Sequence, residues 1–233
     1  MNADEAKKIL DKIVGQVFGY QNPLSLEQFM QKFTFDIRLP QQVYDSTDNS
    51  ITWAQSTNPT KFMKMENART DDGTDGIRPA RPLNDLKDVL AAWSEVNFTT
   101  TERQMESLNV AESDSVDRSQ NVFRSQDIKN SKNIVFCDGV GNSEFVAASQ
   151  RSGAVTFGIR VEDSGEVSNS FGISWCGKVT NSLFLHDCGD MQDSMFCTNM
   201  RGGRFCIANM QYTEEEYMKL RQLVVQWILT PGN

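Results

Sequence analysis

From Ser107 to Cys206 every third residue is Ser, Val, Ile, Leu, Met, Cys or Gly, and none is charged or an amide. The column opens Ser107, Val110, Ser113, Val116 and closes Cys197, Met200, Gly203, Cys206. Helices bury residues at a period near 3.6 and strands at 2, so a sustained period of three belongs to neither. It describes a chain that turns a corner every few residues and stacks its turns into a β-solenoid. Such a core is narrow and needs few large side chains. The hydrophobic content of 39% is therefore enough.

A second marker gives the repeat length. An Asn or Asp stands immediately before an in-register Ser at Asn130, Asn142, Asn169, Asn181 and Asp193, spaced by twelve or by twenty-four plus three. Residues 167–178 align with 179–190, sharing the Val, Asn, Ser, Cys and Gly positions. Twelve residues are then one small coil or half of a larger one. If twelve is a full coil, stacking at about 4.8 Å gives about eight coils and a rod of nearly 40 Å. Serine can enter this core because its hydroxyl can bond neighbouring backbone or the next serine. Asn suits corners because it tolerates left-handed backbone. Large residues alternate with small ones up to Val146 and resume three residues out of phase at Val155. This predicts a three-residue insertion, a bulged corner, within Ser149–Val155.

The flanks read differently. Residues 4–18 place Ile9, Leu10, Ile13, Val14, Val17 and Phe18 on a helical face that ends at Gly19. Ser25 and Gln28 form a capping box for a short helix carrying Phe29, Met30 and Phe33. Phe33, Phe35, Ile37 and Leu39 alternate as a strand would, and Ile51–Trp53 reads as another after an Asp-Ser-Thr-Asp-Asn-Ser turn. The polar stretch 56–81 reads as mobile. Asn84 is the expected cap of a helix with Leu86, Val89, Leu90 and Trp93, and a second short helix is expected over 101–108. Thr213 and Glu216 open a final helix bearing Tyr217, Leu220, Val224, Trp227 and Ile228, stopped by Pro231-Gly232. A solenoid end exposes core and strand edges, so this helix is the expected cap. The fold expected is α+β: a mixed α/β docking region over 1–106, a β-solenoid of twelve-residue repeats over 107–212, and a capping helix and tail over 213–233.

Several function classes fall away on composition. The formal charge of −8 is spread along the chain without a basic patch, which leaves no electrostatic footprint for direct nucleic-acid binding. The first residues lack the basic-then-apolar layout of a signal peptide, and no run suits a membrane span. Five cysteines, Cys137, Cys176, Cys188, Cys197 and Cys206, all fall in the inward column and read as buried structural thiols. With no Cys-x2-Cys pair and one histidine, no metal site or cofactor is expected.

One column breaks the rule. Phe171, Leu183, Met195 and Ile207 are twelve apart and outside the inward register, with Phe184 and Phe196 as a companion pair. An apolar ladder on a surface marks a covering element, here first this chain's own N-terminal region or C-terminal helix, or else a subunit contact, so these six are the candidate interface. For chemistry, His186 beside Asp187 suggests the general base of a solenoid acyltransferase, and Asp187, Asp190 and Asp193 suggest glycan-cleaving carboxylates on adjacent coils. A lone outward histidine and a row of acids are more often surface decoration. No catalytic residue is assigned. The scattered Thr156, Thr180 and Thr198 do not make the regular threonine face of an antifreeze solenoid.

The segment Met200-Arg-Gly-Gly-Arg-Phe-Cys-Ile-Ala-Asn-Met-Gln-Tyr-Thr-Glu-Glu-Glu-Tyr217 resembles the closing motif of a little-characterised Cys/Ser-repeat family of candidate-phylum bacteria and phages, sometimes labelled caib/baif. The resemblance covers about residues 107–220, with weak extensions at Val43-Tyr44-Asp45 and Arg81-Pro82-Leu83. This chain lacks that family's N-terminal Cys-x2-Cys elements and most of its repeat cysteines. The resemblance implies a solenoid and a phage or uncultured-bacterial origin, and no activity. The expectation is a non-enzymatic structural protein, most naturally a phage virion component, found in the virion or host cytoplasm and contacting protein subunits, including its own copies. The alternatives are a solenoid enzyme acting on carbohydrate or acyl groups, and a cytoplasmic protein-binding module.

Overall fold

The computed structural model describes residues 1–57, 61–68 and 77–230. The centre of the polar stretch (69–76) and the Pro231-Gly232 stop lie outside the described residues. Helix α1 (Ala3–Phe18) opens on a capping box between Asn2 and Glu5 and ends where Gly19 turns left-handed at φ +79°. Helix α2 (Leu26–Phe33) has the Ser25/Gln28 box. The alternation over 33–39 is not a strand. Phe33 completes α2, the Thr34 N–H bonds to Met30 O and the Ile37 N–H to Thr34 O, so a turn buries Ile37 and exposes Phe35. The strand starts only after Pro40: β1 (Gln41–Tyr44) pairs antiparallel with β2 (Ile51–Ala54).

Strand β3 (Phe62–Lys64), the single turn α3 (Met65–Ala68) and helix α4 (Leu86–Ser94) follow, and β4 (Thr99–Thr101) returns parallel to β3. Asp85 rather than Asn84 caps α4, its side chain accepting the Asp88 N–H, while the Asn84 N–H turns to the Asp88 carboxylate. The expected helix over 101–108 is absent. Met105 and Leu108 instead belong to β5 (Gln104–Met105) and β6 (Leu108–Ala111), which are the first coil. Spacing by three is shared by a helical face and by this solenoid, and here the solenoid prevails.

From Gln104 on, the coils contribute the parallel strands β5 to β20: β7 to β18 run from Asp114 to Thr198, and the last two are β19 (Arg201–Arg204) and β20 (Cys206–Ile207). Partners are twelve residues apart throughout, as in Lys132↔Glu144, Gly153↔Gly165 and Leu183↔Met195. Twelve residues are therefore one full coil, and residues 104–207 make about nine turns. The corners have a common backbone device. The residue before each inward position has positive φ, for example Asn130 (48°), Asn133 (60°), Phe136 (59°) and Asn142 (51°). Four such corners close one coil. All five Asn/Asp markers occupy them. So do Phe145 and Phe157, stacked at 4.6 Å, and Phe184 and Phe196, stacked at 4.8 Å. A left-handed residue with a side chain costs about 1–2 kcal/mol. Coil-to-coil hydrogen bonds and side-chain stacking offset that cost.

Inside, serine hydroxyls are used twice. Ser119 Oγ donates to Asp117 O at 2.7 Å and accepts the Ser131 N–H at 3.0 Å, and Ser125, Ser182 and Ser194 repeat the arrangement. Each buried hydroxyl thus satisfies an amide of the next coil, and the carbonyls it donates to at Asp117, Phe123 and Thr180 also accept a backbone N–H from that coil.

The predicted bulge near Gly153 does not exist. Register runs unbroken through Val140↔Ser152, Val146↔Gly158 and Val155↔Val167. What changes is which inward columns carry the bulk. In the first coils it is Val110, Val122, Ile134, Val146 and, opposite them, Val116, Ile128, Val140; beyond them it is Val155, Val167, Val179 and Val161, Ile173, Leu185. The filled diagonal of the square switches by one corner. Gly158 sits at the switch: a Cβ there would lie 2.5 Å from Val155 Cγ1 and 2.9 Å from Val161 Cγ2.

At the far end, β21 (Met210–Gln211) folds back antiparallel on β20. Helix α5 (Glu214–Leu229) then opens on the Thr213/Glu216 box and packs Tyr217 on Phe205 of the last coil, ring centroids 5.6 Å apart.

Candidate functional site

Phe171, Leu183, Met195 and Ile207 are the last four rungs of a ladder that begins at Ala111 and continues through Phe123, Val135, Ala147 and Ile159. The same chain covers it. The ladder shares one core with Leu10, Ile13, Val14 and Val17 of α1, Phe29 and Phe33 of α2, and Val225 and Ile228 of α5. Phe171 meets Phe18 at 5.3 Å and Phe33 at 5.5 Å between ring centroids. Burial of such a side chain contributes about 1.5–3 kcal/mol. Polar ties fix the cover: Arg221 donates to Val17 O at 2.8 Å, Lys32 to Thr230 O at 2.7 Å, and Arg160 pairs with Asp36. Of the six candidate interface residues, Phe171, Leu183 and Met195 are buried, Ile207 and Phe184 half-buried, and Phe196 is 42% exposed. Where α2, the solenoid and α5 meet, Phe33, Phe35, Arg160, Phe184 and Trp227 line an apolar cleft of about 250 Å³.

His186 lies exposed on another side. Its Nδ1 is 2.9 Å from Ser174 Oγ, one coil below. Its neighbour Asp187 faces Arg201 at 2.8 Å, Asp193 faces Arg204 at 3.2 Å, and Asp190 stands 4.0 Å from Lys178. These carboxylates are not on adjacent coils of one face, as the spacing had suggested. They occupy successive corners and point to different sides, so no two bracket a shared substrate position.

The five thiols are buried and unpaired with one another. Burial pushes the Cys137 thiol up to about 12 and Cys176 up to about 11, and raises Cys197. Cys137 Sγ lies 3.4 Å from Val135 O, the place a serine hydroxyl takes elsewhere in the column. Among the described residues no three His, Cys, Asp or Glu side chains gather as a metal site, and no helix is long and apolar enough to cross a membrane.

The sequence marks α4 as a helix and is silent on what its apolar stripe meets. None of its residues is buried; Leu86 is 71% exposed, Trp93 55%, and Val89 and Leu90 lie open between them. Polar ties hold the helix at its end, with Arg78 and Arg81 on Glu95 at 2.7 and 2.6 Å and Lys61 on Ser94 O at 2.6 Å. Residues at i, i+3, i+4 and i+7 form one face. Leu86, Val89, Leu90 and Trp93 make such a face, and it is open.

No family model, curated protein or solved structure matches the chain.

Proposed function

We propose that the chain is a non-enzymatic structural protein that docks into a larger protein assembly, with a phage particle as the setting the Cys/Ser-repeat resemblance favours. The observation that carries this reading is α4. Nine-residue helices are marginal in water without tertiary packing, and this one holds Leu86, Val89, Leu90 and Trp93 in the open. A partner subunit with an apolar groove would bury that stripe, while the solenoid acts as a stiff spacer. The setting would be the virion or the host cytoplasm.

The test is mass spectrometry of purified particles beside size-exclusion of the isolated chain. A Leu90→Asp, Trp93→Ser variant should melt like the wild type, since neither side chain is buried, and should be lost from particles. A stable monomer absent from every particle defeats the reading, as does full incorporation of the variant.

One contact favours a second reading. Ser174 Oγ and His186 Nδ1 at 2.9 Å have the spacing of a nucleophile and its base, which suits acyl transfer or hydrolysis. It ranks second because neighbouring Asp187 is engaged by Arg201 instead of orienting the imidazole. Turnover of a model ester that disappears in His186→Ala would raise it above the first.

A further inference from the structure

The two ends of the rod are finished differently. At the C-terminal end the free edge is closed by strand and side chain: β21 pairs with β20, Asn209 Oδ1 accepts the Thr198 N–H at 3.0 Å, and Asn209 Nδ2 donates to Thr198 O at 2.9 Å. The Tyr212 N–H takes Phe205 O, and Gln211 reaches Arg204 O. At the N-terminal end one part is closed in a similar way. Gln55 N–H and the Arg103 side chain hold the buried Asp114, and the Glu102 N–H bonds to Trp53 O. The side formed by β6 is not. Among the described residues β6 pairs only upward, with Gln120–Phe123 of the next coil, and no strand takes its outer edge.

Side chains at this end change character too. The column through Leu108 continues Gln120, Lys132, Glu144, Thr156, Ser168, Thr180, Gln192 and Arg204. The column through Met105 continues Asp117, Lys129 and then glycines from Gly141 to Gly189. Both columns are polar or bare for the rest of the rod, and both end at the first coil on a large apolar residue. Leu108 is 68% exposed and Met105 60%. An unpaired strand edge flanked by exposed apolar side chains is the signature of a surface that another strand completes.

We infer that this end is a self-association surface, on which a second copy of the chain docks by the same end, β6 against β6 in antiparallel pairing. The occupant follows from the shape of the two ends. An open coil end offers a free backbone edge over a small core of Ser107 and Val110, and the same end of another copy is its complement. The closed C-terminal end cannot fill that place, so stacking head to tail is blocked and the contact closes on itself as a two-fold pair. A twelve-residue coil has a small end, well under the roughly 800 Å² per partner of a stable interface. The dimer is therefore concentration-dependent. This inference does not depend on the docking role given to α4.

The experiment is sedimentation equilibrium of the full chain over a range of concentrations, with hydrogen exchange at Leu108–Ala111. The variant is Met105→Asp, Leu108→Gln, which gives each column the residue it carries one coil higher and so keeps the fold. The wild type should shift from one to two chain masses with rising concentration, with slowed exchange along β6. The double variant should stay a monomer and melt like the wild type at dilutions where the wild type is itself monomeric, and Leu90→Asp should dimerise like the wild type. A wild type that is monomeric at every concentration overturns the inference. So does a dimer that survives the double variant, or growth into open filaments.

Discussion

Ser125 Oγ accepts the backbone N–H of Cys137, twelve residues later and one coil up, at 3.0 Å, while its own proton goes to Phe123 O at 2.8 Å. One buried hydroxyl thus joins two coils and satisfies two backbone groups. Ser125→Ala removes it and strands the buried Cys137 N–H, while Phe123 O keeps the Phe136 N–H at 3.1 Å, a loss of about 1–3 kcal/mol. Urea unfolding should show a lower midpoint with an unchanged slope. An alanine variant as stable as the wild type would mean that these bonds do not hold the stack.

Gly158 is the point where the filled diagonal changes, and its neighbours leave no room for a methyl group. Gly158→Ala should cost about 1–3 kcal/mol through overpacking. Adding Val155→Ala should recover part of that loss, because the nearest clash is with Val155 Cγ1. The double-mutant cycle decides: additive losses would show that the two positions do not compete for space.

Asp45 links acid stability to the N-terminal sheet. Burial pushes its carboxyl up, but N–H donors from Lys64 and Thr47, both at 2.7 Å, with the Thr47 hydroxyl and the Asn67 amide, outweigh that and hold it at about 2, against an ordinary 3.8. A carboxyl with a depressed folded-state value contributes stability above its unfolded value and loses it as pH falls toward the folded one. The contribution is about 2 kcal/mol, lost between about pH 4 and pH 2. Wild type and Asp45→Asn should differ at neutral pH and converge in acid. A gap that stays constant down to about pH 2 would refute the assignment.

The buried thiols should be slow. Raised thiol values and burial leave little thiolate at Cys137 and Cys176 in the folded chain. A colorimetric disulfide reagent should titrate almost no thiol until denaturant is added, then all five. Rapid native labelling of any inward cysteine would show that the coils open locally.

The solenoid was legible because its constraint is strict: an inward position every three residues, with nothing charged. The coil length needed the pairing itself, since Asn130, Asn142 and their counterparts mark corners and do not distinguish a whole turn from a half. The bulge expected near Gly153 came from reading side-chain volume as register. Hydrogen bonding fixes register, as Val146↔Gly158 shows, and volume is free to change columns. Met105 and Leu108 misled because a spacing of three suits a helix too. The candidate interface was legible as an apolar ladder from Phe171 onward. Its earlier rungs were hidden by small members such as Ala147; cover by the N-terminal region or the C-terminal helix was expected, and that α1, α2 and α5 share it is the tertiary detail no local pattern carries. The exposure of Trp93 is of the same kind.

The exchange of diagonals at Gly158 also constrains how such a chain can lengthen or shorten. Twelve residues duplicated or deleted wholly on one side of it place Val over Val and Ser over Ser, and the rod simply gains or loses one storey. A block copied from one side and inserted on the other fills the opposite diagonal, so it sets large residues over small ones at both junctions, the mismatch that Gly158 accommodates at the existing seam. The seam thus divides the rod into two modules that can each grow on their own, but whose coils are not interchangeable.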